Sequence, residues 1–120
     1  VMVAGGILGL AGVSLPAVEA GIVLSVLVIG ALVALAFRPP LAAAVAVVGA
    51  FALFHGFAHG AEMPAETGSL SYTLGFIVAT VLLHGAGILA GLAMKTLANG
   101  GVVRLAGGAV ALAGVWLALG

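Results

Sequence analysis

Five continuous apolar runs, separated by Ser14-Leu15-Pro16, Arg38-Pro39-Pro40, Met63-Pro64-Ala65-Glu66-Thr67-Gly68 and Asn99-Gly100-Gly101, constrain this chain more than any other feature of its sequence. Crossing the hydrocarbon core as a helix takes roughly 20 apolar residues, so 120 residues leave room for about five passes and almost nothing else. Composition agrees: 65% of residues are hydrophobic, 5% are charged, and the mean hydropathy is +1.48. Soluble domains carry about a quarter of their residues as charges. Lipid offers the backbone no hydrogen-bond partners, which leaves helices or a closed barrel. The runs are rich in Ala, Leu and Val without period-two alternation, so barrel strands are excluded. The expected fold is all-α: a polytopic transmembrane helix bundle forming one domain over residues 1–120.

Proline and glycine set the expected boundaries. Pro16 suits the first turn of a helix, where its missing N–H costs nothing, and Pro39-Pro40 can open a helix but not continue one. Helices are expected over about 1–13, 16–37, 40–62, 69–95 and 102–119. The first run is too short for a span and reads as the later part of a helix that begins upstream. No positive n-region precedes Val1-Met2-Val3, so the start of the chain is expected to be missing. Thr67 or Ser69 is available to cap the fourth helix, and Trp116 suits an interfacial anchor near the end of the fifth.

This arrangement sorts the charges. Arg38, Lys95 and Arg104 fall at turns on one side, and Glu19, Glu62 and Glu66 at turns on the other. By the positive-inside rule the basic side is expected to be cytoplasmic and the acidic side periplasmic, in a bacterial inner membrane. A net charge of zero argues against nucleic acid, and three scattered bases make no polybasic lipid patch. There are no cysteines, so any metal must be held by nitrogen and oxygen.

Phe54-His55-Gly56-Phe57-Ala58-His59-Gly60-Ala61-Glu62 gathers two of the three histidines and one of the three carboxylates at the end of the third run. On a helix, His55, His59 and Glu62 stand at i, i+4 and i+7 and share a narrow stripe. Neutral imidazole suits Ni, Cu, Zn and Fe, and a carboxylate adds charge compensation. The plainer alternative is that each side chain hydrogen-bonds a neighbouring helix, although ionisable groups within a span usually mark pathways, relays or sites. Gly49, Gly56 and Gly60 form a smooth ridge about a quarter-turn away, on which another helix can pack while the polar stripe faces the bundle interior.

His84 lies about 15 residues into the fourth helix, roughly 22 Å deep at 1.5 Å per residue, past the bilayer midplane. Thr73, Thr80, Gly87 and Gly91 share its stripe. This seam reads either as helix glue or as the surroundings of a second, deeper ion station. Glu19 is a ligand, a mouth residue attracting cations, or a charge complementing the helix dipole. Ser14 and Ser25 read as a cap and packing glue, and Glu66 as a solvated charge. Catalysis lacks support, since the chain has no Asp, no serine with a nearby His and Asp, and no Gly-rich loop leading from a strand.

The segment Phe54 to Pro64 resembles the HupE/UreJ family of small nickel/cobalt permeases, which carry a His-Gly-x-x-His-Gly-x-Glu-x-Pro signature. Leu15-Pro16-Ala17-Val18-Glu19-Ala20-Gly21-Ile22 with Ser25-Val26 is similar to that family's Leu-Pro-x-x-Glu segment, and His84-Gly85 fits its next span. The resemblance implies a six-helix bundle, about five helices of which are present here, and a role supplying nickel to hydrogenase or urease maturation. Family members also carry an earlier helix with a His-Pro motif and an Asp-His pair; no such segment is in this sequence, which the resemblance implies begins within the family's second helix, the earlier one being either upstream of Val1 or lost.

The expected function is therefore a permease for Ni²⁺ or Co²⁺, with Glu19 and Glu62 at the outer mouth, His55 and His59 coordinating, and His84 deeper. No tightly bound cofactor is expected, and the partners are the divalent ion, the lipid bilayer and other membrane subunits or further copies of the chain. Two competitors are a non-transporting structural subunit of a larger membrane complex, and proton conduction through the histidines.

Overall fold

The computed structural model describes every residue except Ala98 and Asn99, and the side chains of all the others except Lys95 and Leu97. Its described residues are all helix and connecting turns: α1 (Met2–Leu10), α2 (Val18–Ala34), α3 (Leu41–Ala61), α4 (Ser69–Leu97) and α5 (Gly101–Leu119). α3, most of α4 and α5 are long and apolar enough to cross a membrane, and α2 is a shorter apolar helix. The expected helical membrane bundle is borne out.

Several boundaries differ from the sequence expectation, and the backbone gives the reasons. α1 ends at Leu10, three residues early, where Gly12 adopts a left-handed φ of 71°. There the Gly12 N–H donates to Gly9 O and the Val13 N–H to Leu8 O, the paired bonds of a Schellman cap. α2 is shorter than the expected 16–37 at both ends. Ala17, at φ 57°, delays its start past Pro16. Ala36, at φ 52°, ends it with the same cap, Ala36 N–H to Val33 O and Phe37 N–H to Leu32 O. Pro40 is the N-cap of α3 rather than its first helical residue. α4 runs two residues past Lys95, the expected last residue of that helix; the side chain of Lys95, like Asn99 of the expected turn, lies outside the described residues. Gly100 of that turn has φ 78° and precedes α5.

Glycine decides which helices meet. A Cβ built on Gly5 would overlap Leu53 O, one on Gly9 would overlap Phe57 O, one on Gly56 would overlap Met2 O, and one on Gly60 would overlap Gly6 O. Successive residues of α1 meet successive residues of α3, so the two helices run parallel with their backbones touching. The Gly56–Gly60 ridge thus finds its neighbour in α1. Gly49 is left nearly clear of it, 3.9 Å from one Val1 methyl. α2 and α5 form the other close pair. A Cβ on Gly30 would come 2.5 Å from Ala111 N, one on Gly107 2.6 Å from Ala34 N, and one on Gly114 2.9 Å from the Leu27 side chain. Here the numbers run in opposite directions, and the pair is antiparallel. In lipid, close backbone approach of this kind supplies packing energy that the hydrophobic effect cannot.

The two pairs join through Gly21 of α2, which lies against the Phe54 ring of α3. Phe57 is the buried large hydrophobe among the described residues, whereas Leu and Val side chains along every helix are exposed. That inverts the soluble pattern and presents an apolar exterior suited to lipid. α4, roughly 43 Å long at 1.5 Å per residue, buries none of its apolar window inside the bundle. Gly75, Gly85, Gly87 and Gly91 have no neighbouring atom within 4 Å of a built Cβ. The expected seam along α4 is therefore open on the side where Gly87 and Gly91 lie.

Candidate functional site

The C-terminal end of α3 concentrates the polar chemistry. In an α-helix the last four carbonyls lack intrahelical donors, and here three are satisfied in different ways. The Glu62 N–H donates to Ala58 O at 2.9 Å, the Met63 N–H to Gly60 O at 3.4 Å, and the Tyr72 hydroxyl, from the first turn of α4, to His59 O at 2.8 Å. One turn further along α4, the Phe76 ring lies 5.1 Å from the His59 imidazole, centroid to centroid, at an interplanar angle of 49°. Tyr72 and Phe76 stand at i and i+4 and thus on one face of α4. His59 is held between them by its backbone and by its ring.

Between these residues and α1 lies a small cleft, about 20 Å³, bordered by Gly6 and Ile7 of α1, His59 and Gly60 of α3, and Thr73 of α4 among others. That is room for about one water-sized particle. Its polar side chains come from His59, Tyr72 and Thr73, and the glycines bring bare backbone to its wall.

His55 sits one turn earlier, partly buried, with Nδ1 3.1 Å from Phe51 O of its own helix. With the proton on Nδ1 this is a donated hydrogen bond, and Nε2 keeps its lone pair for a ligand. His84 repeats the pattern on α4, with Nδ1 2.8 Å from Thr80 O, on an exposed face. Glu62 is the C-cap of α3, at φ −92° and ψ 8°, and is exposed. Glu19 is in the first turn of α2 and also exposed, two residues before the Gly21 that touches Phe54. The acidic start of α2 therefore lies toward the histidine-bearing half of α3.

Among the described residues, no three His, Asp or Glu side chains are grouped so that they could hold one metal ion. The stripe itself explains this. From i to i+7 a straight helix rises roughly 10 Å, too far for three side chains to close a shell without ligands from a second helix. His55 and His59 retain the i, i+4 spacing at which two imidazoles can share an ion. The polar stripe does not face a closed interior, because His59 opens on the cleft and on α4. Sequence reasoning singled out Thr73 only as seam, and missed Tyr72 and Phe76 entirely. Their signal was an aromatic i, i+4 pair in the first two turns of α4, one of which is the chain's single tyrosine.

The family described as HupE / UreJ protein matches residues 1–117. Protein HupE of Rhizobium leguminosarum bv. viciae is 48% identical over 122 residues, a match that takes in 100% of this chain and 63% of that relative. The chain thus spans 63% of the length of the curated relative it matches. No solved structure matches it.

Proposed function

Since the chain belongs to the HupE/UreJ family, which is associated with nickel and cobalt accessory functions of hydrogenase and urease, we propose that it forms the path-bearing part of a permease for Ni²⁺ or Co²⁺. The observation that carries this reading is the setting of His59, an imidazole bordering a cleft shared by three helices, one turn from His55, whose Nδ1 contact leaves Nε2 available. Nitrogen and oxygen donors of this kind suit divalent nickel and cobalt. Glu19 and Glu62, exposed toward the same end, concentrate cations at the mouth. His59 and His55 then take the ion with water completing the shell, and His84 receives it deeper along α4. A partial protein shell suits transport, because the ion must leave as readily as it arrives.

Arg104 supports the orientation that accompanies this reading. Its Nε donates to Ala34 O at 2.9 Å, so the start of α5 adjoins the end of α2 that leads to Arg38. Arg38 and Arg104 thus fall at one end, and the positive-inside rule favours a cytoplasmic place for it.

The test is uptake of radioactive nickel and cobalt by cells expressing the natural gene for this chain. His55→Ala with His59→Ala is expected to abolish uptake at unchanged membrane abundance, and unchanged uptake overturns the proposal. The open face of α4 favours a second reading, a non-transporting subunit of a larger membrane complex, because a span with none of its apolar window buried has room for a protein neighbour. Purification in fixed stoichiometry with other membrane proteins, without uptake activity, would establish that reading instead.

A further inference from the structure

We infer that Tyr72 and Phe76 are positioning residues that hold the His59 imidazole at the mouth of the cleft, so that α4 sets the affinity of the ion site without supplying the ion's first nitrogen ligand. The inference rests on the proposed permease reading, and it deepens that reading by naming what controls the site.

Three observations converge on it. First, the Tyr72 hydroxyl donates to the carbonyl of His59 itself, at 2.8 Å, across 13 residues of chain. That carbonyl belongs to the last turn of α3, where no backbone donor follows within the helix. Tyr72 therefore fixes the peptide from which the His59 side chain departs. Second, Phe76 packs against the imidazole at 5.1 Å and 49°, a tilted arrangement in the favourable range for aromatic pairs. A ring contact on one face restricts rotation about the His59 side-chain bonds, which an exposed imidazole otherwise enjoys. Third, Tyr72, Phe76 and His59 all border one cleft, together with Gly6 and Gly60. The held imidazole thus stands at a defined space rather than at open surface.

The contrast with the other two histidines sharpens the point. His55 and His84 are each oriented by a carbonyl four residues earlier on their own helix, Phe51 O and Thr80 O. His59 is oriented instead from a second helix. Among the described residues, α4 makes few other contacts with the bundle and buries none of its apolar window, so this clasp is a principal tie between α4 and α3. Displacing α4 must turn the imidazole, and turning the imidazole must loosen α4. Removing a hydrogen-bond partner of a metal-binding imidazole costs about 10- to 100-fold in affinity; Tyr72 and Phe76 act on the His59 peptide and ring face instead, so the lower end of that range is the effect expected here.

The experiment measures nickel uptake against concentration in cells expressing the natural gene, for wild type, Tyr72→Phe, Phe76→Leu, Phe76→Tyr and His59→Ala, with membrane abundance of each variant followed by immunoblot. Tyr72→Phe removes only the donor, and Phe76→Leu only the ring. Both are expected to raise the half-saturating nickel concentration on the order of tenfold while leaving the maximal rate per molecule within about twofold, and Phe76→Tyr, which keeps the ring, is expected to restore wild-type saturation. A merely structural role would instead lower abundance and maximal rate with the half-saturating concentration unchanged, and that result overturns the inference. Wild type and His59→Ala separate the two levels. If wild type itself takes up no nickel, the permease reading fails; if His59→Ala leaves uptake intact, His59 has no place in the ion path and the inference fails with it. If His59→Ala abolishes uptake while Tyr72→Phe and Phe76→Leu saturate like wild type, only the positioning role fails.

Discussion

Replacing Gly56 by alanine adds one methyl group at the tightest place in the molecule, where α1 and α3 run with their backbones in contact. The new Cβ would overlap Met2 O, lie 2.8 Å from the Met2 carbonyl carbon and 3.1 Å from Gly6 N, all backbone atoms of α1. No side chain can swing aside to make room, so the helix itself must retreat. Reaching ordinary contact distance takes a shift on the order of 1 Å, and a gap of that size forfeits roughly a quarter to a half of each van der Waals contact along the interface. Overpacking of this kind costs about 1–3 kcal/mol. The proper reference is Gly87→Ala on α4, where a built Cβ meets nothing within 4 Å. There the substitution only removes glycine's helix penalty and stabilises by up to about 1 kcal/mol. Relief of the helix penalty is common to both variants, so they should differ by the overpacking cost of about 1–3 kcal/mol, although the chemical change is identical. Thermal unfolding in a mild detergent, followed by the fluorescence of Trp116, resolves this, since 1 kcal/mol corresponds to roughly 4 °C for a chain of this size. If Gly56→Ala and Gly87→Ala melt within about 2 °C of each other, the reasoning from backbone contact is wrong.

Other expectations follow from the helix ends and from the buried polar group. Ala36→Gly should raise the melting temperature by a few degrees, because φ 52° costs an alanine on the order of 1 kcal/mol that glycine avoids. Arg104→Gln should lower it modestly, by about 1 kcal/mol or less, since the guanidinium caps the Ala34 carbonyl at the negative end of α2; no change would mean that water replaces this cap without loss. Ser25 is 2% exposed and its hydroxyl donates to Ile22 O of its own helix at 2.6 Å. Ser25→Ala should therefore lie within about 1 kcal/mol of wild type, while Ser25→Leu should lose about 1–3 kcal/mol by overpacking, both read in the same melts.

The candidate residues of α3 were legible before any geometry, though not how they are grouped. His55, His59 and Glu62 announce themselves because an ionisable residue is conspicuous in a span, and their spacing fixes a common helix face without knowledge of a neighbour. The resemblance of the same segment to the HupE/UreJ signature is borne out by the match over residues 1–117. Tyr72 and Phe76 were not legible as partners of His59, because an aromatic pair near a helix start is ordinary until the helix it touches is known. The open face beside His84 was equally hidden, since Gly87 and Gly91 look the same in sequence whether or not another helix lies against them.

The sequence by itself determined the helical class and the approximate ends of the spans, because backbone satisfaction in lipid and the chemistry of proline act locally. It also determined the existence of a glycine ridge on α3, which follows from helical periodicity alone. Only the tertiary structure decided that this ridge receives α1 in parallel while α2 takes α5 antiparallel. The same holds for the left-handed alanines that shorten α2, and for the choice of His59 over His55 as the histidine at a three-helix cleft. The helix pairings and the place of His59 depend on which backbone comes within reach of another, whereas the left-handed alanines close local turns that their residue type does not announce. In a chain where nearly every surface is apolar, hydrophobicity does not distinguish one neighbour from another, and the fit between small residues on facing helices does.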